Sequence, residues 1–140
     1  MGWLGSLFGQ PRMLKANLGE ERPEFLEAMI KGGKPYAVCD TQGRSEELSV
    51  ADMKVALKAK RIMEQADRLA AAGDVPAAKA AYEKFIRTAN FEDDVAYYSL
   101  ANVCIVLRDK SSAKKWLQRA LKANPGNAKV RMRLAELDHI

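Results

Sequence analysis

The stretch that decides the fold is WLQRALKANPGN, residues 116–127. A well-formed helical run meets Asn-Pro-Gly-Asn, where proline cannot donate to a helix and glycine releases the chain from it. Directly afterwards AKVRMRLAELD, residues 128–138, resumes helical spacing. A helix stopped so sharply, only for another to begin, is expected where a chain lays down units that stack on one another.

Moving outward from that stop exposes the period. Shifted by 35 residues, Gly73-Asp74 falls on Arg108-Asp109, Ala78 on Ala113, Tyr82 on Leu117 and Ile86 on Leu121. Upstream, Ile62 meets Tyr97, Ala66 meets Ala101 and Leu69 meets Cys104. A further shift of 34 places Leu100 on Leu134, Ala101 on Ala135 and Asp93 on Asn127. Two helices per period of this length predict a helical solenoid. Alanines fall where helices must approach closely, and Tyr82, Phe85 and Leu117 are expected to fill the space between hairpins.

The punctuation agrees. SVAD, residues 49–52, is a capping box with Asp52 at its third helical position. A long helix then runs to Gly73, with Met53, Leu57, Ile62, Met63, Ala66, Leu69 and Ala70 at helical spacing. A second follows from PAAKAAYEKFIRTA, a third capped by Asp93 or Asp94, a fourth capped by Asp109 and a last capped by Asn127. Earlier, ERPEFLEAMIKGG predicts a short helix stopped by Gly32-Gly33. KPYAVCDTQGR has extended character, but with no second strand in view it reads as a loop or strap. The expected organisation is an irregular N-terminal extension over residues 1–48 and a helical domain over residues 49–140.

At these residues the chain resembles the tetratricopeptide repeat family over roughly residues 59–140. The best unit is DVAYYSLANVCIVLRDKSSAKKWLQRALKANPGN, residues 94–127. Tyr97 stands at the family's large aromatic place, Leu100 and Ala101 at its Leu-Gly pair, and Ala113, Ala120 and Pro125 at its small, small and proline places. The first unit keeps Gly73, Ala78 and Tyr82 but has Gln65, Phe85 and Asn90 where leucine, a small residue and proline are usual. The third holds only a first helix, with Arg131 at the aromatic place, as suits a polar cap. The resemblance implies an all-α, short helical solenoid: two hairpins plus a C-terminal capping helix.

It also implies a binding module whose first helices line a concave groove. The residues just after the aromatic place are Met63, Tyr98 and Met132; four further on come Asp67, Asn102 and Glu136, with Ala70 and Ile105 beyond. An apolar row beside a polar one suits an amphipathic helix or extended peptide. The expected groove is therefore Met63, Asp67, Tyr98, Asn102, Ile105, Lys129, Met132 and Arg133. The alternative is that Met63 and Met132 only pad neighbouring helices. One subgroup of the family grips a C-terminal carboxylate. Lys129 and Arg133 match two of its places, but Met63, Asp67 and Ser99 replace the rest, so that specificity is not expected.

Charge supplies a second partner class. The chain of 140 residues carries a net charge of +5, and the excess lies in residues 94–140, with nine basic and four acidic side chains. Lys110, Lys114, Lys115, Arg119 and Lys122, with Trp116 among them, form a basic patch on a second helix, hence on the convex side. Nucleic acid or another anionic surface is the alternative to a protein partner. Trp116 has no aromatic neighbour in sequence, and the charges spread over much of a helix; a solvated face explains them more simply.

No catalytic constellation is visible. One histidine, His139, and two distant cysteines, Cys39 and Cys104, give too few ligands for a structural zinc site, and there is no phosphate loop. The expectation is a non-enzyme without cofactor, in the cytoplasm because neither a signal peptide nor a membrane span is apparent. The start, MGWLGSLFG, places Trp3, Leu4, Leu7 and Phe8 on one face if helical, yet its glycines make a poor helix. These residues are expected to dock into a partner within a larger complex. They could instead cover the domain's own groove or touch a membrane, since Gly2 and Ser6 fit a myristoylation pattern.

Overall fold

Helix boundaries follow the sequence's own stops. In the structure, a computed structural model, residues 21–39 and 45–139 are described. They form α1 (Pro23–Gly32), β1 (Tyr36–Cys39), β2 (Ser45–Leu48), α2 (Val50–Ala71), α3 (Val75–Thr88), α4 (Asp94–Val106), α5 (Lys110–Ala123) and α6 (Ala128–Leu137). Among the described residues the fold is all-α apart from one hairpin, and α2 to α5 are the four helices that the period requires. The apolar N-terminal segment with Trp3, Leu4, Leu7 and Phe8 lies outside the described residues.

The described residues divide into two compact units: those up to 61 together with 88–92, and 62–87 together with those from 93 onward. In the first, Pro23 opens α1 and Gly33 closes it at φ 68°, a left-handed conformation that glycine adopts without steric penalty. The expectation of a loop after α1 is corrected here. Tyr36–Cys39 pairs antiparallel with Ser45–Leu48, in a register running from Tyr36 opposite Leu48 to Cys39 opposite Ser45. The second strand was hidden because SEEL has two glutamates and little strand propensity. Its one apolar residue, Leu48, is fully buried and anchors the end of the strand. Leu26, Met53, Ala56, Ala59 and Phe91 are also buried. Lys60 places its ammonium 5.3 Å from the centre of the Phe91 ring, and Asn90 donates to the Asp52 carbonyl at 3.1 Å. The capping box forms as read: Ser49 N–H donates to Asp52 at 3.2 Å, and Asp52 N–H to the Ser49 hydroxyl at 3.1 Å.

The second unit holds the repeat. Ala66, Ala78, Tyr82, Tyr97, Leu100, Ala101, Cys104, Ala113, Leu117, Ala120, Val130 and Leu137 are buried in one cluster. The alanines lie at or near zero exposure, which is what close helix approach demands. Both first helices end in the same motif. After α2, Gly73 N–H bonds to the Ala70 carbonyl and Asp74 N–H to that of Leu69; after α4, Arg108 N–H bonds to Ile105 and Asp109 N–H to Cys104. These are two Schellman ends, 35 residues apart. Asp93, Asp109 and Asn127 cap α4, α5 and α6 through their side chains. Asp94 accepts from Asn124 at 3.1 Å and from Asn127 at 2.7 Å, tying the start of α4 to the turn between α5 and α6. That turn is the Asn-Pro-Gly-Asn stop, and its two asparagines hold the stacked unit in place.

Candidate functional site

The expected groove residues fall into three groups. Met63 and Tyr98 are half-buried and pack against the core cluster. They therefore contribute to the domain's own stability, the alternative that the sequence left open for Met63. Lys129 and Met132 are exposed, Met132 at 64%. Ile105 is likewise half-buried and packs against that cluster; Asp67 is exposed, and Asn102 and Arg133 are half-buried.

Asn102 lines a cavity of about 280 Å³ together with Ala70, Val75, Tyr82, Ser99, Val103 and Val106. At its wall the Tyr82 hydroxyl donates to Asp67 at 2.6 Å. Burial pushes the phenol's pKa well above its usual 10.0, and the hydrogen bond and charge of Asp67 push it the same way, against a smaller opposing hydrogen bond from Ser99. Tyr82 is thus a neutral donor that fixes the Asp67 carboxylate. The Asn102 Oδ1 is different: it is buried and has no hydrogen-bond partner among the described residues. So is the Nε of Arg133, although that guanidinium reaches Glu136 at 3.4 Å through another nitrogen. Among the described residues three buried side-chain atoms are orphaned in this way, and two of them sit on expected groove residues. A buried polar group without a partner costs about 1–3 kcal/mol, so such groups concentrate where a ligand or water completes them.

Ile105 lines a second cavity, of about 400 Å³, with Val106, Arg108, Lys110 and Leu137. Sequence reading passed over Ser99, Val106, Arg108 and Leu137 as lining residues and took Tyr82 only for core. The offset that aligns Arg108 with Gly73 was the available signal, since it places a bulky residue at a helix end that favours glycine.

On α5, Lys110, Lys114, Lys115, Arg119 and Lys122 are exposed. The isolation expected of Trp116 is corrected. Its ring stacks on Tyr97 with centroids 6.0 Å apart and planes 18° apart. The Arg119 guanidinium lies 4.7 Å from Tyr97 and 5.6 Å from Trp116, and the Lys115 ammonium 5.0 Å from Trp116. Tyr97 is buried, so this assembly welds α5 to α4. Trp116 itself stays half-buried.

Cys104 is a free, buried thiol whose pKa burial raises, which disfavours the reactive thiolate. Among the described residues no three His, Cys, Asp or Glu side chains gather as a metal site, and no helix is long and apolar enough to cross a membrane. No curated protein matches the chain. Residues 93–137, from the cap of α4 to the last residue of α6, match the family model of the tetratricopeptide repeat.

Proposed function

We propose that this chain is a protein-binding adaptor or assembly subunit that holds a partner segment along the groove face of α2, α4 and α6. One observation carries the reading: the unpartnered acceptor of Asn102 and donor of Arg133 both fall on groove residues. An extended peptide backbone offers N–H and C=O groups in alternation, and Asn102 and Arg133, each half-buried as a whole residue, would turn an amide or guanidinium toward it. Met132 supplies exposed apolar surface on α6, and the cavity beside Asn102 accepts a side chain.

A protein segment suits the groove better than nucleic acid, because the groove row carries the exposed apolar Met132 beside the acidic Asp67 and Glu136. The basic face of α5 supports long-range attraction of acidic partners. The N-terminal Trp3, Leu4, Leu7 and Phe8 would act as a second docking element.

The test is affinity capture from lysate with partner identification, comparing the natural protein with an Asn102→Ala/Met132→Ala variant. Neither residue is buried in the core, so folding should be retained. The expected result is selective loss of one or more partners that persist through a rise in salt. Equal recovery of every partner by the variant would refute the groove. Capture that collapses steeply with salt and depends on α5 lysines would favour the nucleic-acid alternative.

A further inference from the structure

The cavity beside Asn102 joins aliphatic walls to a single negative charge. Ala70 on α2, Val75 on α3, and Val103 and Val106 on α4 supply the walls. The polar side chains that line it, Tyr82, Ser99 and Asn102, carry no formal charge, and no cation lines it among the described residues. At its edge the Tyr82 hydroxyl donates to Asp67 Oδ1 at 2.6 Å. Tyr82 is buried, so it holds that carboxylate from a fixed position. Asp67 itself is exposed and stands one turn before the lining residue Ala70, on the same face of α2. A carboxylate accepts through both oxygens. Beyond the Tyr82 bond to Oδ1, Asp67 has no hydrogen bond or ion pair among the described residues.

The charges nearby are committed or turned away. Asp74 caps α3, accepting from the Ala77 N–H at 3.3 Å. Lys79 pairs with Glu83 at 3.6 Å. Arg68 follows Asp67 in sequence but lies about 100° further round the helix, and Arg108 lines the other cavity. Between Val95 and Leu107, α4 brings no charged side chain at all. The half-open carboxylate of Asp67 is thus the charge that an occupant of this cavity meets.

We propose that the cavity receives a lysine or arginine side chain of the partner segment, with its methylene stem along the aliphatic walls and its cationic head on Asp67. The proposal rests on the groove reading above and names one residue class of the occupant. Long basic side chains join an apolar stem to a charged tip, so they match aliphatic walls that end at a carboxylate. An acidic side chain or a phosphate would meet like charge at Asp67. A leucine would fill the walls but strip water from the carboxylate without replacing it. The chain as a whole carries +5, so its overall field disfavours basic segments, and a basic preference has to come from a local acidic group.

Selection from a random peptide display library against the natural protein, repeated against an Asp67→Lys variant, tests this. Asp67 is exposed, so Asp67→Lys and Asp67→Asn should both fold, which far-UV circular dichroism checks. Sequences enriched on the natural protein should share Lys or Arg at one fixed place beside apolar residues, and those enriched on Asp67→Lys should lose it. In fluorescence anisotropy Asp67→Asn, whose amide oxygen still accepts from Tyr82, should weaken the enriched peptides by about three- to tenfold. Replacing the shared basic residue of the peptide by methionine should weaken binding to the natural protein by a similar factor, with little further loss on Asp67→Asn. Enrichment without a shared basic residue, the same basic consensus on Asp67→Lys, or unchanged affinity on Asp67→Asn would each overturn the proposal. Peptides that keep their affinity on Asp67→Asn but lose it on Asn102→Ala/Met132→Ala would discard the cation contact and leave the groove standing. If no enriched peptide is released by Asn102→Ala/Met132→Ala, the groove falls and this contact falls with it.

Discussion

Exchanging the residues that end α2 and α4 isolates the energetic cost of one backbone conformation. Gly73 and Arg108 sit at the same place in equivalent Schellman ends, both at positive φ. A Cβ built on Gly73 meets nothing within 4 Å, so Gly73→Ala introduces no clash and exposes only the conformational penalty. That penalty is about 1–2 kcal/mol, to be set against about 0.5–1 kcal/mol gained from a less flexible unfolded chain, for a net loss near 0.5–1 kcal/mol. Arg108→Gly runs the same balance backwards and should gain about 0.5–1 kcal/mol. Chemical denaturation followed by far-UV circular dichroism gives both values, and melting temperatures should move by about 2–5 °C in opposite directions. Two changes of the same sign, or a destabilised Arg108→Gly variant, would refute the reasoning. The second outcome would mean that Arg108 contributes packing or ion pairing that outweighs its backbone strain.

Tyr82→Phe should lower stability by about 0.5–1.5 kcal/mol at neutral pH, through loss of the 2.6 Å hydrogen bond to Asp67. Because burial and Asp67 raise the Tyr82 pKa in the folded state, its contribution is fully present below the unfolded value of about 10 and is lost as pH rises above it. Denaturation midpoints from pH 8 to 11 should therefore fall less steeply in the variant, and an unchanged slope would count against the burial of that phenol. Leu100→Ala, at a fully buried position, should cost about 2–5 kcal/mol. Half-buried Tyr98→Ala should cost measurably less in the same denaturation series; an equal cost would make Tyr98 a core residue rather than a groove residue.

The sequence by itself determined the repeat, its caps and its stops. Period and punctuation are local: Ser49, Asp93, Asp109 and Asn127 satisfy helix N–H groups within three residues of themselves, and Gly73 and Pro125 end helices whatever packs around them. The burial of Ala66, Ala78, Ala101 and Ala113 followed from the same spacing, because two superposed helical periods leave few residues for the shared interior. Tertiary structure alone decided the rest. SEEL became a strand by pairing with Tyr36–Cys39, a choice that its two glutamates conceal. Tyr97 and Trp116, 19 positions apart, met because α4 and α5 pack side by side. That meeting gives Trp116 a packing partner that its sequence neighbourhood lacks. The orphaned atoms of Asn102 and Arg133 are likewise invisible in sequence: whether a polar atom has a partner depends on its distance from groups elsewhere in the chain, and only the folded packing of helices sets those distances.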